Sequence, residues 1–103
     1  MQIQVNYSNI DGSDALQTRV EDKLQHALQH VADRVTRIEV HLHDDNAAKA
    51  GSHDKRAVME ARPAGAHPIT VDHAGDDIYG VIDEAAGKLG RAVKKHFDKA
   101  GAR

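Results

Sequence analysis

Lys88, Arg91, Lys95 and Lys99 follow one another at steps of three, four and four residues. On an α-helix that spacing projects all four from one side, over about 16 Å at 1.5 Å per residue. A row of cations of that length can neutralise several phosphates along a nucleic-acid strand, releasing condensed counterions and making the binding salt-sensitive. Lys94 flanks the row. Between Lys88 and Arg103 stand six basic residues and one acid, Asp98, so this stretch carries +5 while the whole chain carries −2 and the remainder −7. A basic end on an acidic body suits contact with a polyanion. Lys and Arg also complement the dipole of a helix end, so the row alone does not separate a phosphate site from a solvated helix.

A second surface comes from alternation. Arg37, Glu39, His41 and His43 share one face of one segment, and Arg56, Glu60 and Arg62 share one face of another. If the two segments pair as strands, three arginines and two histidines lie beside two glutamates. Such a face is either a lattice of cross-strand ion pairs, each of modest worth, or a second RNA-contacting surface. The eight histidines raise the question of metal. His26 and His30 are spaced i, i+4, and His41-x-His43 precedes Asp44-Asp45, but neither group offers convincing third and fourth ligands, and cysteine is absent, so no metal site is expected. The imidazoles instead predict phosphate binding that strengthens as pH falls through roughly 6.5. Catalysis is not expected either. There is no phosphate-cradling glycine loop and no nucleophile elbow, and the adjacent acids Asp44-Asp45 and Asp76-Asp77 suit solvation or capping better than acid–base work in a pocket.

The elements that must carry these groups follow from periodicity. Met1 to Tyr7 alternates, with Ile3 and Val5 inward, and reads as a half-buried strand. Ser13 is a good helix N-cap with Asp14 in the first turn. Leu16, Val20, Leu24, Ala27, Leu28 and Val31 then predict an amphipathic helix ending near Asp33. Arg34 to His43 is a second strand with Ile38, Val40 and Leu42 inward. Asp44 to Asp54, with Gly51, is a loop. Lys55 to Arg62 is a third strand with Ala57, Met59 and Ala61 inward, closed by a turn at Pro63 and Gly65. Ile69 and Val71 mark a short fourth strand, for which Pro68 suits only a first or edge position. The second helix starts near Asp76 or Asp77 and runs to about residue 100, burying Ile78, Ile82, Ala85, Leu89 and Val93. Gly80, Gly87 and Gly90 weaken it by about 1 kcal/mol each relative to Ala unless close packing calls for them, and Gly101 is the expected cap.

A β-α-β-β-β-α order with polar outer strand faces needs one apolar cover, and two helices supply it. The expected fold is α+β: a two-layer sandwich in one domain over residues 1–103, with a four-stranded sheet and both helices on one face. Strands two to four form an antiparallel meander, and the helical crossover allows the first pair to be parallel. Apolar residues make up 40% of the 103, which argues against disorder. The aromatics are Tyr7, Tyr79 and Phe97, with no Trp, so the core is aliphatic and a stacking platform built from these rings is all but excluded. No apolar run approaches the roughly 18 residues of a membrane span, and residues 1–5 do not read as a secretory signal, so the cytoplasm is the expected compartment.

Asp77-Ile78-Tyr79-Gly80-Val81-Ile82-Asp83, followed by Lys88-Leu89, Arg91, Lys95 and Asp98-Lys99, resembles the final helix of the ribosome hibernation-promoting factors. These are also called ribosome-associated inhibitors or ribosomal subunit interface proteins. The element order and the length agree, so the resemblance covers nearly the whole chain in layout. It implies binding to the small ribosomal subunit, in the channel between head and body used by messenger and transfer RNA, and silencing of translation under stress. By position, Lys88, Arg91, Lys95 and Lys99 would meet ribosomal RNA phosphates, with Lys94 beside them and Arg37, Arg56 and Arg62 as a second set. Tyr79 and Ile82 would pack, Asp77 would sit at the helix start, and Asp83 has no assigned role. The chain looks like a short member, lacking the additional C-terminal dimerisation domain of the long ones. It departs from the family at Phe97, where another basic residue is usual, at Gly87 and Gly90, and in its acidic body. The implied partner is ribosomal RNA, with no cofactor, membrane or small-molecule substrate and a monomer off the ribosome. The alternative is a protein-interaction module of the same fold.

Overall fold

The computed structural model describes residues 1–45 and 54–101. The elements are β1 (Gln2–Ser8), α1 (Asp14–Ala27), a 3-10 segment (Gln29–Arg34), β2 (Val35–Asp44), β3 (Lys55–Pro63), β4 (Ile69–Gly75) and α2 (Ile78–Gly101). The four strands form one sheet in the order β1-β2-β3-β4, with β1 parallel to β2 and the other pairs antiparallel. This is the expected α+β layout. Residues 46–53 of the expected loop lie outside the described residues. At the loop's base, the Asp45 N–H donates to the Asp54 carbonyl at 2.8 Å, and Lys55 pairs with Asp44 and Asp54, each at 3.2 Å.

One face of the sheet is dry. Ile38, Val40 and Leu42 on β2 and Ala57, Met59 and Ala61 on β3 are fully buried, as the alternation requires. Leu16, Val20 and Leu24 close over them from α1, Leu28 from just beyond its end, and Val81, Ile82, Ala85, Ala86, Leu89 and Val93 from α2. The buried set is aliphatic apart from Met59 and contains no polar side chain among the described residues. The edge strands β1 and β4 are only half buried on their inner face, through Ile3, Val5 and Tyr7 and through Ile69 and Val71. At the α1 entrance the Ser13 hydroxyl accepts from the Leu16 N–H at 3.1 Å, the expected cap.

The first helix is shorter than its periodicity predicts. It ends at Ala27, and Val31 has φ −132° and ψ 15°, outside the helical region, within the 3-10 segment that carries the chain on to Arg34. A 3-10 turn repeats at three residues, so Leu28 and Val31 keep their inward positions although the helix has stopped. An apolar spacing of three does not tell the two helices apart. β4 is longer than expected, because Asp72 to Gly75, polar and small in sequence, continue the ladder opposite Val58 to Lys55. It is an edge strand, and Pro68 stands just before it, where a missing N–H costs no ladder bond. Gly101, expected just beyond the second helix, is the last residue assigned to α2.

Candidate nucleic-acid interface

α2 begins where Asp77 caps it. The Asp77 carboxylate accepts from the Gly80 N–H at 3.2 Å and its carbonyl from the Val81 N–H at 2.9 Å. At 1.5 Å per residue its 24 residues span about 36 Å. The inward stripe of Ile82, Ala85, Leu89 and Val93 fixes the rotation of the helix, and so fixes what faces out. Lys88, Arg91, Lys94, Lys95 and Lys99 are all exposed. Their partners differ. The Lys88 ammonium donates to the Asp72 carbonyl on β4 at 3.1 Å, and Lys94 pairs with Asp98 at 2.9 Å. Arg91, Lys95 and Lys99 make no ion pair or side-chain hydrogen bond among the described residues. Three unneutralised cations thus stand on the outer side of one rigid helix.

The sheet-face arginines are placed differently. The register sets Arg37 opposite Arg62 and Glu39 opposite Glu60, like charge against like. The side chains resolve this along each strand and, in one case, diagonally across to the next. Glu39 takes Arg37 at 3.3 Å and Arg62 at 3.5 Å, and Glu60 takes Arg62 at 3.0 Å. Arg37 also donates to Gln4 of β1. Arg56, opposite His43, pairs with Asp72 of β4 at 2.6 Å. Three arginines are thus matched by three carboxylates on this face. It also lies on the far side of the sheet from the helices. The eight basic residues singled out in the sequence therefore form two surfaces rather than one patch. They approach each other at the β4 edge, where Asp72 receives Lys88 on its carbonyl and Arg56 on its carboxylate.

Asp83, without a role in the sequence reading, joins the two helices. Arg19 of α1 donates to it from Nε at 2.8 Å and from Nη2 at 2.7 Å, a bidentate fork, and the same guanidinium lies 5.4 Å from the centre of the Tyr79 ring. A lone Arg and Asp 64 positions apart carry no local signal, so this pair was not legible. The hydrogen bonds from Arg19 hold the Asp83 carboxyl below the usual carboxylate value, against a smaller opposing effect of burial. A carboxyl lowered in the folded state stabilises the fold above its ordinary value, and that contribution disappears as pH falls through the lowered one. Asp83→Asn is therefore expected to unfold a few degrees below the parent at pH 7, with the gap closing below about pH 4. Thermal midpoints at pH 7 and pH 3 check this, and a gap of equal size at both would assign the effect to packing.

No group of three or more His, Cys, Asp or Glu side chains that could hold a metal ion occurs among the described residues. His41 and His43 stack on the outer sheet face at 6.4 Å between ring centres. Phe97 is covered by Arg34, whose guanidinium carbon lies 3.9 Å from the ring centre. Among the described residues, no helix is long and apolar enough to cross a membrane.

A mixed β1-β2-β3-β4 sheet under two helices matches the fold of a ribosomal subunit interface protein. Residues 3–100 match the family described as sigma 54 modulation protein / S30EA ribosomal protein, and the chain belongs to that family. A ribosome hibernation promotion factor from Picosynechococcus sp. is 26% identical over 99 residues, covering 96% of this chain. The chain spans 50% of that relative's length. Among solved structures, a ribosomal subunit interface protein from Coxiella burnetii superposes with a TM-score of 0.80 at 26% identity, covering 95% of this chain and 99% of the other. The N-terminal domain of Protein Y from Thermus thermophilus has the same fold, with a TM-score of 0.74 at 23% identity, covering 93% and 99% of the two chains.

Proposed function

We propose that this protein binds the small ribosomal subunit through phosphates of its RNA, contacted by the outer side of α2, and holds translation idle under stress. The carrying observation is that Arg91, Lys95 and Lys99 stand exposed on one helix and without partners among the described residues, while the sheet-face arginines are paired with carboxylates. A charge that already has a carboxylate must give it up to reach a phosphate, and a free one need not. Lys88 and Lys94 extend the row, because an exposed bond to a carbonyl or to an i+4 carboxylate exchanges readily for a phosphate. The site would lie where messenger and transfer RNA run, and the family relationship supports that placement.

The reading predicts the salt dependence. Four to five phosphate contacts give a slope of log affinity against log salt of roughly −3 to −4. Co-sedimentation of the purified chain with small ribosomal subunits across a salt series measures it. A slope near zero, or a chain that stays at the top of the gradient at low salt, would transfer the function to a protein partner, whose apolar interface core responds less to salt.

A further inference from the structure

Between the last turn of α1 and the middle of α2 lies a groove of about 300 Å³. Its floor is Ala27, Gly87 and Gly90. The two glycines are there for different reasons. A Cβ on Gly90 would sit 3.1 Å from the Ala27 methyl and 3.1 Å from its carbonyl oxygen, so the helices touch at that point. A Cβ on Gly87 would meet only the guanidinium of Arg91, with its nearest atom at 3.3 Å. Close packing does not explain Gly87. What it does is leave the groove open, at the cost in helix propensity that glycine carries.

The rim is of another kind. His26 and His30 stand on the α1 side and Arg91 and Lys94 on the α2 side, all exposed. The floor is apolar, two of the rim groups are imidazoles, one is a planar guanidinium, and two are permanent cations. A bare phosphate would find few donors at such a floor. A flat ring with a phosphate attached matches both parts. RNA readers stack unpaired bases on imidazole and guanidinium planes as well as on Phe, Tyr and Trp, and this chain has few of the latter.

We propose that the groove receives one unpaired nucleobase of the bound RNA, its faces against His26, His30 and Arg91 and its phosphate on Arg91 and Lys94. This rests on the RNA-binding reading and gives it a point at which the protein senses single-stranded RNA rather than charge alone. The groove is continuous with the basic row, because Arg91 belongs to both. Lys94 exchanges its exposed contact with Asp98 for the phosphate.

The test uses the full chain and two short single-stranded oligoribonucleotides of one sequence, one with a central 2-aminopurine and one abasic at that position. The intact chain is expected to quench the 2-aminopurine and to bind the abasic strand about tenfold more weakly, the scale of one stacked base. Gly87→Leu fills the groove with a better helix former, so its loss of discrimination is not a loss of fold, and circular dichroism verifies that. Gly87→Leu and the double variant His26→Ala/His30→Ala are both expected to abolish quenching and to bind the two strands equally, with the salt slope retained. Equal affinity of the intact chain for both strands overturns the base site and leaves the phosphate reading standing. Binding of neither strand overturns both. If the intact chain binds both strands equally but Gly87→Leu weakens sedimentation with subunits, the groove holds a protein side chain, and the proposal is overturned in that way too.

Discussion

Arg91→Glu combined with Lys95→Glu is expected to weaken binding to small ribosomal subunits by at least about 100-fold at 0.1 M salt and to flatten the salt slope by about 1.5 units. The magnitude follows from counterion release. Each phosphate contact contributes somewhat less than one log unit of affinity at that ionic strength. Two reversals remove two contacts and set two carboxylates against phosphate. Both positions are exposed and neither has a partner to strand among the described residues, so the fold should be indifferent and the thermal midpoint should move by no more than a degree or two. The companion variant Arg37→Gln/Arg62→Gln removes two cations from the sheet face. Its effect on binding should stay below about tenfold, because Glu39 and Glu60 already neutralise those groups. Affinities measured by sedimentation for the two pairs decide the matter. If the sheet variant is the weaker binder, the interface lies on the other side of the molecule.

Leu89→Ala is expected to destabilise the fold by about 2–5 kcal/mol. Leu89 is fully buried in the middle of the helix that covers the sheet. The fully buried set around the core is Val, Ile, Leu, Ala and Met59, and the rings of Tyr7, Tyr79 and Phe97 pack only at its margin, half buried. Domains of this size hold only about 5–15 kcal/mol in total, so the variant should lose at least about 10 °C in thermal midpoint. A loss under about 1 kcal/mol in denaturant titration would show that α2 settles onto the sheet and closes the cavity.

The layout was legible because the sheet is wet on one face. Ile38, Val40 and Leu42 alternate with Arg37, Glu39 and His41, and Ala57, Met59 and Ala61 alternate with Arg56 and Glu60, so strand and orientation are written together. The α2 row was legible for a related reason: the inward stripe sets the rotation and leaves the basic side outward. What was not legible depended on registry between distant segments. That Arg37 stands opposite Arg62 and Glu39 opposite Glu60 follows from the register of β2 on β3, and no local signal marks it. The state of charge of the sheet face therefore stayed open until the strands were paired. Asp83 with Arg19 is the same case across two helices. The end of α1 failed differently, since Leu28 and Val31 suit a 3-10 turn and an α-turn equally.

α2 follows every strand in the chain, and it supplies Val81, Ile82, Ala85, Ala86, Leu89 and Val93 to the core. Until it is synthesised and docked, the inner face of the sheet is half bare, and a meander in that state has little to hold it together. The chain therefore gains its lid and its row of cations in one cooperative event. Until α2 docks, the nascent polypeptide presents no fixed row of cations. Once the rod has formed, whatever binds it also holds the lid shut, so the target acts as a stabiliser of the fold.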